Sequence, residues 1–354
     1  MRFGLFYEMQ GAGNRSDAVL YEEHLREFEL ADAAGYDCLW LAELHFNRDY
    51  SILPAPLMLG AAASQRTKRI RIGSGVAVLP INNPLRLAEE IATLDVLSGG
   101  RVDFGIGRGH PMTGIYDHFE IEAETSKALF REHLTVIRKA WSEQRFSYKG
   151  QFHDLDDVAV VPKPVQKEVP TFVSAFSPDT FELAAEFGLN LFLAGQVTPP
   201  AVLEQAVHGF RATLQKHGRN PADHRMPVLL PVFVDTDGAR ARRTFEAPLM
   251  SYYAVIGRMM GWMMERLQRK HAEFPPSYQG YLQLGNVLHD LNWERVCNEF
   301  AIVGTPEEAV DRITAMKERM DFKDMIIWTN VGALDHDKVT SSLRLFADKV
   351  MPRV

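Results

Sequence analysis

The chain has 354 residues, of which 46% are hydrophobic, enough to bury a full globular core. A net charge of −7 excludes a broadly basic surface for nucleic acid, and no run of lysine and arginine points to an anionic membrane. The two cysteines, Cys38 and Cys297, form no CxxC pair, which excludes a disulfide framework and argues against a thiolate metal site. With no signal-peptide pattern and no apolar run of about 20 residues, we expect a cytoplasmic protein.

Short apolar segments alternate along the chain with longer amphipathic ones. The first pair is a strand at 2–7 followed by a helix at 16–35, with Ser16 or Asp17 as its N-cap and Gly35 just past its end. The predicted strands lie at 2–7, 36–43, 70–80, 101–107, 170–175, 190–195, 226–234 and 324–330. The predicted helices lie at 16–35, 55–64, 82–100, 126–143, 177–187, 199–217, 305–320 and 337–349.

Eight strand-then-helix units predict a closed (β/α)8 TIM barrel. Strict alternation implies parallel strands joined by right-handed crossovers. An open, doubly wound sheet is the alternative, because alternation does not prove closure. A bare barrel needs about 250 residues, and the surplus falls mainly in 146–169, which includes a predicted hairpin at 146–161, and in 236–300. We therefore expect a single domain, 1–354, with two insertions.

The segment RVDFGIGRGHP, residues 101–111, raises the question of a phosphate-binding loop. Its glycines at 105, 107 and 109 are spaced G-x-G-x-G, whereas the dinucleotide fingerprint is G-x-G-x-x-G and opens directly into a helix. We therefore reject a dinucleotide fold. In a barrel, this segment is the C-terminal end of the fourth strand, the face where barrel enzymes keep their sites. Arg108 is then a candidate ligand for a phosphate or carboxylate, the alternative being a tight turn with a solvated arginine.

Five segments, spread over nearly the whole chain, carry motifs of one enzyme family. They are YDCLWLAELHF (36–46), IGSGVAVLPINNPLRLAEEIATLDVLSGGRVDFGIGRG (72–109), FVSAFSPDT (172–180), VGTPEEAVDRI (303–313) and VGALDHDKVTSSLRLFADKVMP (331–352). The sequence resembles the bacterial luciferase-like flavin-dependent monooxygenases. The resemblance implies a barrel that binds reduced FMN, delivered by a separate flavin reductase, at the C-terminal face. In some branches of the family the deazaflavin F420 takes the place of FMN.

The resemblance also implies which residues hold the flavin phosphate. By position, Arg108 and the backbone at Gly109 would meet it, and Ser177 and Thr180 would hydrogen-bond to it. Hydroxyl and amide groups at the start of a helix are suitable ligands for an anion. The alternative for Ser177 and Thr180 is simple N-capping of the helix that follows, and the two roles are compatible.

Residues beside the flavin ring follow from the same resemblance. Ala175 and Phe176 would border the ring. Gly75–Val76 aligns with the non-proline cis peptide of the family, although the sequence leaves the isomer open. Gly107 occupies the position of the reactive cysteine of luciferase, which removes a thiol and predicts open room over the ring.

The chain departs from the family at the proposed proton-transfer site. The family's E-H-H-F box is here Glu43-Leu44-His45-Phe46, so Leu44 replaces the histidine treated as catalytic in luciferase. Leucine cannot transfer a proton, and we do not expect luciferase-type light emission. His45, oriented by Glu43, is a candidate general base or hydrogen-bond donor, the alternative being a residue that braces its loop. His110 is the other candidate, the alternative being a solvated loop residue.

The insertion at 236–300 contains the methionine-rich segment PLMSYYAVIGRMMGWMMERLQ (248–268). In the family this region supplies an active-site lid, and methionine suits adaptable apolar surfaces. A buried helix face or a dimer contact is the alternative. The family often dimerises through helices near the second and third strands, and the apolar segment 53–63 is consistent with a homodimer or with a helix packed on the barrel.

The resemblance implies a monooxygenase that uses reduced FMN and dioxygen to oxygenate a small, apolar organic substrate. Two other classes stay open. One is an F420-dependent dehydrogenase, which transfers hydride and uses no oxygen. The other is a non-catalytic flavin-binding or partner subunit, which the loss of the histidine at position 44 allows.

Overall fold

Eight parallel strands close into a barrel. The computed structural model describes residues 1–11, 13–174, 177–269, 279–332 and 334–354, and only the backbone of 279–283. The strands of these residues are β1 (Arg2–Tyr7), β2 (Cys38–Leu41), β3 (Arg71–Ser74), β4 (Ala77–Val78), β5 (Val102–Gly107), β6 (Phe146–Lys149), β7 (Asp154–Val158), β8 (Thr171–Ser174), β9 (Asn190–Ala194), β10 (Val228–Val234), β11 (Ile302–Gly304) and β12 (Asp324–Trp328). The barrel runs β1-β2-β3-β5-β8-β9-β10-β12, and β12 returns to β1. The predicted (β/α)8 barrel is confirmed, and the open sheet is wrong.

Helices follow the barrel strands and form the outer layer. They are α1 (Asp17–Ala34), α2 (Pro56–Arg66), α3 (Pro84–Ser98), α4 (Ile115–His118), α5 (Ser126–Ser142), α6 (Pro178–Phe187), α7 (Pro200–Lys216), α8 (Gly238–Arg269), α9 (Gln279–His289), α10 (Trp293–Arg295), α11 (Pro306–Met320) and α12 (His336–Lys349). Both predicted caps of α1 are present: the Ser16 side chain accepts from the Val19 amide, and Gly35 ends the helix with φ at 95°. Within the described residues, no helix combines the length and the apolar character that crossing a membrane requires.

The predicted third strand is interrupted. Residues 71–74 and 77–78 are extended, and between them the Gly75–Val76 peptide bond is cis, at the position where the family resemblance places one.

The two insertions fold differently. The first contains the predicted hairpin, with β6 and β7 antiparallel. In the second, the 32-residue helix α8 extends to Arg269, and α9 and α10 follow from Gln279 onward.

A tryptophan fills the barrel interior. The Trp40 ring meets the Phe172 ring edge-to-face at 4.9 Å and the Phe192 ring at 5.2 Å. A Cβ added at Gly73, on the neighbouring strand, would lie 2.5 Å from Trp40 Cε3. Gly73 therefore makes room for the indole, and large and small residues alternate as close packing requires.

Buried charges cross-link the N-terminal ends of the barrel strands. The carboxylate of Asp103 is fully buried and pairs with Arg71 at 2.7 Å and with Arg225 at 3.4 Å. Arg225 continues to Asp324 at 2.8 Å, and Asp324 also pairs with Arg2. Residues at this end of a TIM barrel serve stability rather than catalysis, so we assign the network to holding the strands together.

A pH-dependent contact joins the outer helices. The buried carboxylate of Glu27 in α1 accepts from His336 Nδ1 of α12 at 2.9 Å and from Asn330 Nδ2 at 2.9 Å. The hydrogen bond to Glu27 raises the pKa of His336, against an opposing effect of burial. Because the folded-state pKa lies above the unfolded value of about 6.5, this stabilisation is complete below that pH and is lost as the pH rises through the raised pKa.

We therefore expect the free energy of unfolding to fall as the pH rises above about 6.5. His336→Gln should lack this decrease. Urea unfolding at several pH values measures it, with His208→Gln, an exposed residue of α7, as control. An unchanged pH slope in His336→Gln would contradict the assignment.

Candidate active site

Polar residues gather where the barrel strands end. Because parallel strands share one direction, their C-terminal ends meet at one face, where TIM-barrel enzymes place their sites. Glu8 follows β1, Glu43 follows β2, Arg108 follows β5, Ser177 follows β8 and Gln196 follows β9. The sequence prediction named the middle three of these residues.

A candidate anion site lies at the ends of β5 and β8, which are hydrogen-bonded neighbours. The half-buried Arg108 side chain has no ion-pair partner among the described residues, and its backbone carbonyl accepts from the Tyr116 hydroxyl at 2.5 Å. Ser177 is the N-cap residue of α6, yet its side chain does not cap the helix; its Oγ instead lies 3.0 Å from Thr180 Oγ1. A positive charge, two hydroxyls and a helix N-terminus on adjacent strands suit a phosphate.

The glycines after β5 fit closely against the segment around the cis peptide. Gly109 has φ at 77°, and a Cβ there would lie 2.8 Å from Val78 Cγ1, so the position requires glycine. A Cβ at Gly107 would lie 2.5 Å from Val76 Cγ2. The space at Gly107 is therefore filled by Val76 rather than open, contrary to the sequence prediction.

Glu43 has two kinds of partner. Its carboxylate accepts from the Val78 amide at 2.6 Å and from Asn82 Nδ2 at 3.1 Å, which ties the loop after β2 to the next strand end. His45 Nε2 lies 3.4 Å from Glu43 Oε1, a longer contact. The geometry brings the predicted pair together, and it also supports the bracing alternative, because the shorter contacts of Glu43 are to the loop.

Histidines 45 and 110 lie near each other. His110 Nδ1 is buried and has no hydrogen-bond partner among the described residues, and the ring lies 5.6 Å from that of Tyr50. Burial, reinforced by the charge of nearby His45, lowers the pKa of His110 to about 4. His110 is therefore neutral at pH 7, with one buried ring nitrogen turned toward the interior, which differs from the solvated alternative.

The residue directly after His45 has a strained backbone conformation. Phe46 has φ at 64°, a conformation that bulky residues rarely adopt, and its side chain is 57% exposed. Its ring lies 4.8 Å from that of His118, while the His45 ring contacts Phe119 at 5.2 Å. The ring of His45 thus packs against aromatic side chains at the edge of the site.

Helix α8 lies across the ends of the strands. Tyr252 packs edge-to-face on Trp328 at 4.6 Å, and the Tyr253 hydroxyl donates to the Gln196 carbonyl at 2.7 Å. Arg266 pairs with Asp117 of α4 at 2.9 Å. The methionines Met259, Met260 and Met263 are buried, as the buried-face alternative predicts. Residues 270–278 of the predicted lid lie outside the described residues, and the lid stays a prediction.

Two predicted ring-bordering residues, Ala175 and Phe176, also lie outside the described residues. Conversely, Glu8, Gln10 and Gln196 are buried at the same face, and the sequence analysis did not name them. A polar residue directly after a predicted barrel strand was the available signal. The rule that identified Arg108 also applies to Glu8 after β1 and to Gln196 after β9.

Comparison with known proteins places this architecture in a family. The sequence matches luciferase-like monooxygenases over residues 1–321. The oxygenase component of flavin-dependent trigonelline monooxygenase from Acinetobacter baylyi is 25% identical, over 99% of this chain and 95% of that protein. F420-dependent glucose-6-phosphate dehydrogenase from Microbacterium testaceum is also 25% identical, over 92% and 91%. The monooxygenase RslO1 from Streptomyces bottropensis has a TM-score of 0.82, with 25% identity and 99% of both chains covered.

The resemblance inferred from the five sequence segments is thereby confirmed, and so is the fold that it implied. The chain belongs to the luciferase-like monooxygenase family.

Proposed function

We propose that this protein is a flavin-dependent monooxygenase that uses reduced FMN and dioxygen to oxygenate a small, apolar organic substrate. The observation that carries the proposal is the anion site formed by Arg108, Ser177 and Thr180. A guanidinium with no ion-pair partner among the described residues stands beside an N-cap hydroxyl that does not cap its own helix. Both features fit a phosphate group.

The residues present fit FMN in the way that the family resemblance implies. Arg108 and the Gly109 backbone would bind the phosphate with Ser177 and Thr180, while the Gly75–Val76 peptide would lie beside the ring. Reduced flavin, when bound, supplies the electrons that activate dioxygen. The protein itself must orient the ring and exclude water. Helix α8 covers the strand ends with buried Tyr252, Tyr253 and Met259, and so excludes water.

A separate flavin reductase is the partner that this function needs. The similarity to the oxygenase component of a multi-component enzyme supports that arrangement. The F420-dependent relative favours F420 as the second candidate cofactor, in a dehydrogenase of the same fold. A non-catalytic flavin-binding subunit is the less favoured alternative, because Arg108, Ser177 and Thr180 retain the anion site.

A cofactor titration tests the proposal. Purified protein is titrated anaerobically with reduced FMN and, in parallel, with reduced F420, and binding is followed by absorbance and fluorescence. We expect reduced FMN to bind, and dioxygen admitted afterwards to yield oxygenated product with a screened substrate. Binding of F420 alone would favour the dehydrogenase, and binding of neither would exclude both.

His45 should affect turnover more than stability. It lies past the C-terminal end of β2, where side chains face the chemistry. With a reductase, FMN and a substrate, we expect His45→Ala to lower the yield of oxygenated product and to raise hydrogen peroxide release, with little change in Tm. His45→Gln should recover part of the yield if the role is hydrogen bonding. Normal product yield in His45→Ala would leave only the bracing role.

Leu44 should prevent light emission. Its side chain is half-buried against the core and offers no proton or hydrogen bond. We expect no appreciable luminescence when the protein is mixed with reduced FMN, dioxygen and a long-chain aldehyde in a luminometer. Bright emission would contradict this prediction directly.

We also propose a homodimer that uses the helices after the second and third strands. Met58 on α2 is 76% exposed, and Val96 and Leu97 on α3 are 46% and 50% exposed. These exposed apolar residues lie on two helices that pack against each other, and an interface that covers both helices would bury them. Light scattering would measure the mass, and Met58→Asp should shift a dimer toward the monomer.

A further inference from the structure

A tyrosine hydroxyl holds one peptide group of the candidate anion site. The Tyr116 hydroxyl, in α4, donates to the Arg108 carbonyl at 2.5 Å. Burial raises the pKa of Tyr116, although a hydrogen bond with Ser126 and the charge of Arg108 oppose the rise. The hydroxyl is therefore protonated at pH 7, and its single proton is used in the bond to the carbonyl. Tyr116 thus contacts the site without having a donor left for an anion.

The peptide group that Tyr116 holds joins Arg108 to Gly109. Its bond is trans, and a trans peptide is planar, so the C=O and N–H groups point in opposite directions. Holding the Arg108 carbonyl therefore also sets the direction of the Gly109 N–H. That N–H donates to no acceptor among the residues that the structure describes. An amide donor at the end of β5 is thus oriented and unused.

A small hydrophobic cluster fixes the tyrosine ring. Tyr116 is 6% exposed and packs with buried Val78 and Ile115, in a cluster separate from the main core. Gly109 meets the same cluster, since a Cβ there would lie 2.8 Å from Val78 Cγ1 and 3.8 Å from Ile115 Cδ1. The ring and the peptide group that it holds therefore pack on the same two side chains, and close packing leaves little room for either to move.

Helix α8 also packs on the segment that carries the tyrosine. A Cβ at Gly114 would lie 2.8 Å from Trp262 Cη2, so the indole lies directly on the backbone there. Arg266 pairs with Asp117 at 2.9 Å. Gly114 and Asp117 flank Tyr116 in the chain, so contacts with α8 on both sides of Tyr116 keep the segment in place.

We propose that Tyr116 is a positioning residue for the phosphate of the flavin. By holding the Arg108 carbonyl, it directs the Gly109 N–H toward the phosphate and keeps Arg108 at the end of β5. This inference rests on the proposed function and adds a residue that none of the five motif segments contains. A phenylalanine at position 116 would preserve the packing and leave the peptide group free to rotate.

The held peptide group can be observed by itself. Arg108–Gly109 is the only Arg-Gly dipeptide of the chain, so protein labelled with carbonyl-¹³C arginine and ¹⁵N glycine gives a single HNCO cross-peak. In Tyr116→Phe the carbonyl frequency should move upfield, because the carbonyl loses a hydrogen bond. Inorganic phosphate should move the amide proton downfield in wild type and less in Tyr116→Phe. A carbonyl frequency equal to that of wild type would overturn the proposal.

Ligand affinity separates positioning from a structural role. Tyr116→Phe should weaken the binding of reduced FMN about threefold or more, within the range for one hydrogen bond. Riboflavin, which has no phosphate, should bind the variant and wild type equally. Anaerobic fluorescence titration measures both affinities.

Tyr36→Phe is the matched control. The buried Tyr36 hydroxyl donates to the Leu343 carbonyl at 2.9 Å, and Tyr36 precedes β2, at the opposite end of the barrel. The two variants lose the same atom from the same kind of hydrogen bond, so their Tm values should fall by similar amounts. Only Tyr116→Phe should lose affinity for FMN.

Two results of the titration would overturn the proposal: unchanged FMN affinity in Tyr116→Phe, or an equal loss of affinity for FMN and riboflavin. If wild type responds to inorganic phosphate and binds no FMN, the proposed function fails, and the cross-peak still tests Tyr116. If wild type responds to neither ligand, the anion site and this inference fail together.

Discussion

Arg108→Ala weakens the binding of reduced FMN about tenfold or more and leaves the fold intact. The guanidinium stands at the end of β5, half-buried and without an ion-pair partner among the described residues. A charge-assisted hydrogen bond to an anion is worth about 1.5–3 kcal/mol, which corresponds to roughly 10- to 150-fold in Kd. Anaerobic fluorescence titration measures the affinity, and the far-UV circular dichroism spectrum checks the fold.

A control variant and a control ligand accompany this measurement. Arg86→Ala removes an exposed arginine that pairs with Glu90 on α3, away from the strand ends, and should leave the FMN affinity unchanged. Riboflavin, which lacks the phosphate, should bind wild type and Arg108→Ala equally. An unchanged FMN affinity in Arg108→Ala would remove the phosphate assignment.

Asp103→Asn lowers the free energy of unfolding by about 3–5 kcal/mol, because it leaves Arg71 and Arg225 charged and only partly compensated at the N-terminal end of the barrel. The carboxylate has no exposed surface, so solvent cannot replace the lost partner. Urea unfolding followed by tryptophan fluorescence measures the change.

A surface ion pair supplies the control. Asp154→Asn breaks a contact with Lys149 at 3.1 Å in the hairpin, where both side chains are more than two-thirds exposed. Such pairs contribute about 0–1 kcal/mol. If both variants lose similar stability, the buried network does not hold the strands together.

Several features of the fold could be predicted locally. The helix start at Ser16 could be predicted because a cap is set by the residue itself and its immediate neighbours. The barrel was predicted from eight repeats of one local pattern. The number of repeats favoured closure without proving it, because the pairing of β12 with β1 joins residues more than 300 positions apart.

The candidate site also combines features that short motifs predict with features that depend on the tertiary structure. Arg108, Ser177 and Thr180 were predicted from short motifs, and the pairing of β5 with β8 brings these motifs to one edge. Gly107 was expected to leave open space, but Val76 fills it from the neighbouring segment. Glu8 and Gln196 directly follow predicted strands, as Arg108 does, but only the structure shows that both are buried.

The sequence by itself determined the fold class, the family and the candidate ligands for a phosphate, because periodicity, caps and contiguous motifs are local properties of the chain. Only the tertiary structure decided which polar groups lose contact with water. Burial raises the pKa of Glu8 well above its usual range and, with the charge of His45, lowers the pKa of His110 to about 4. Desolvation depends on every element packed around a group, and no single segment of the sequence contains that information.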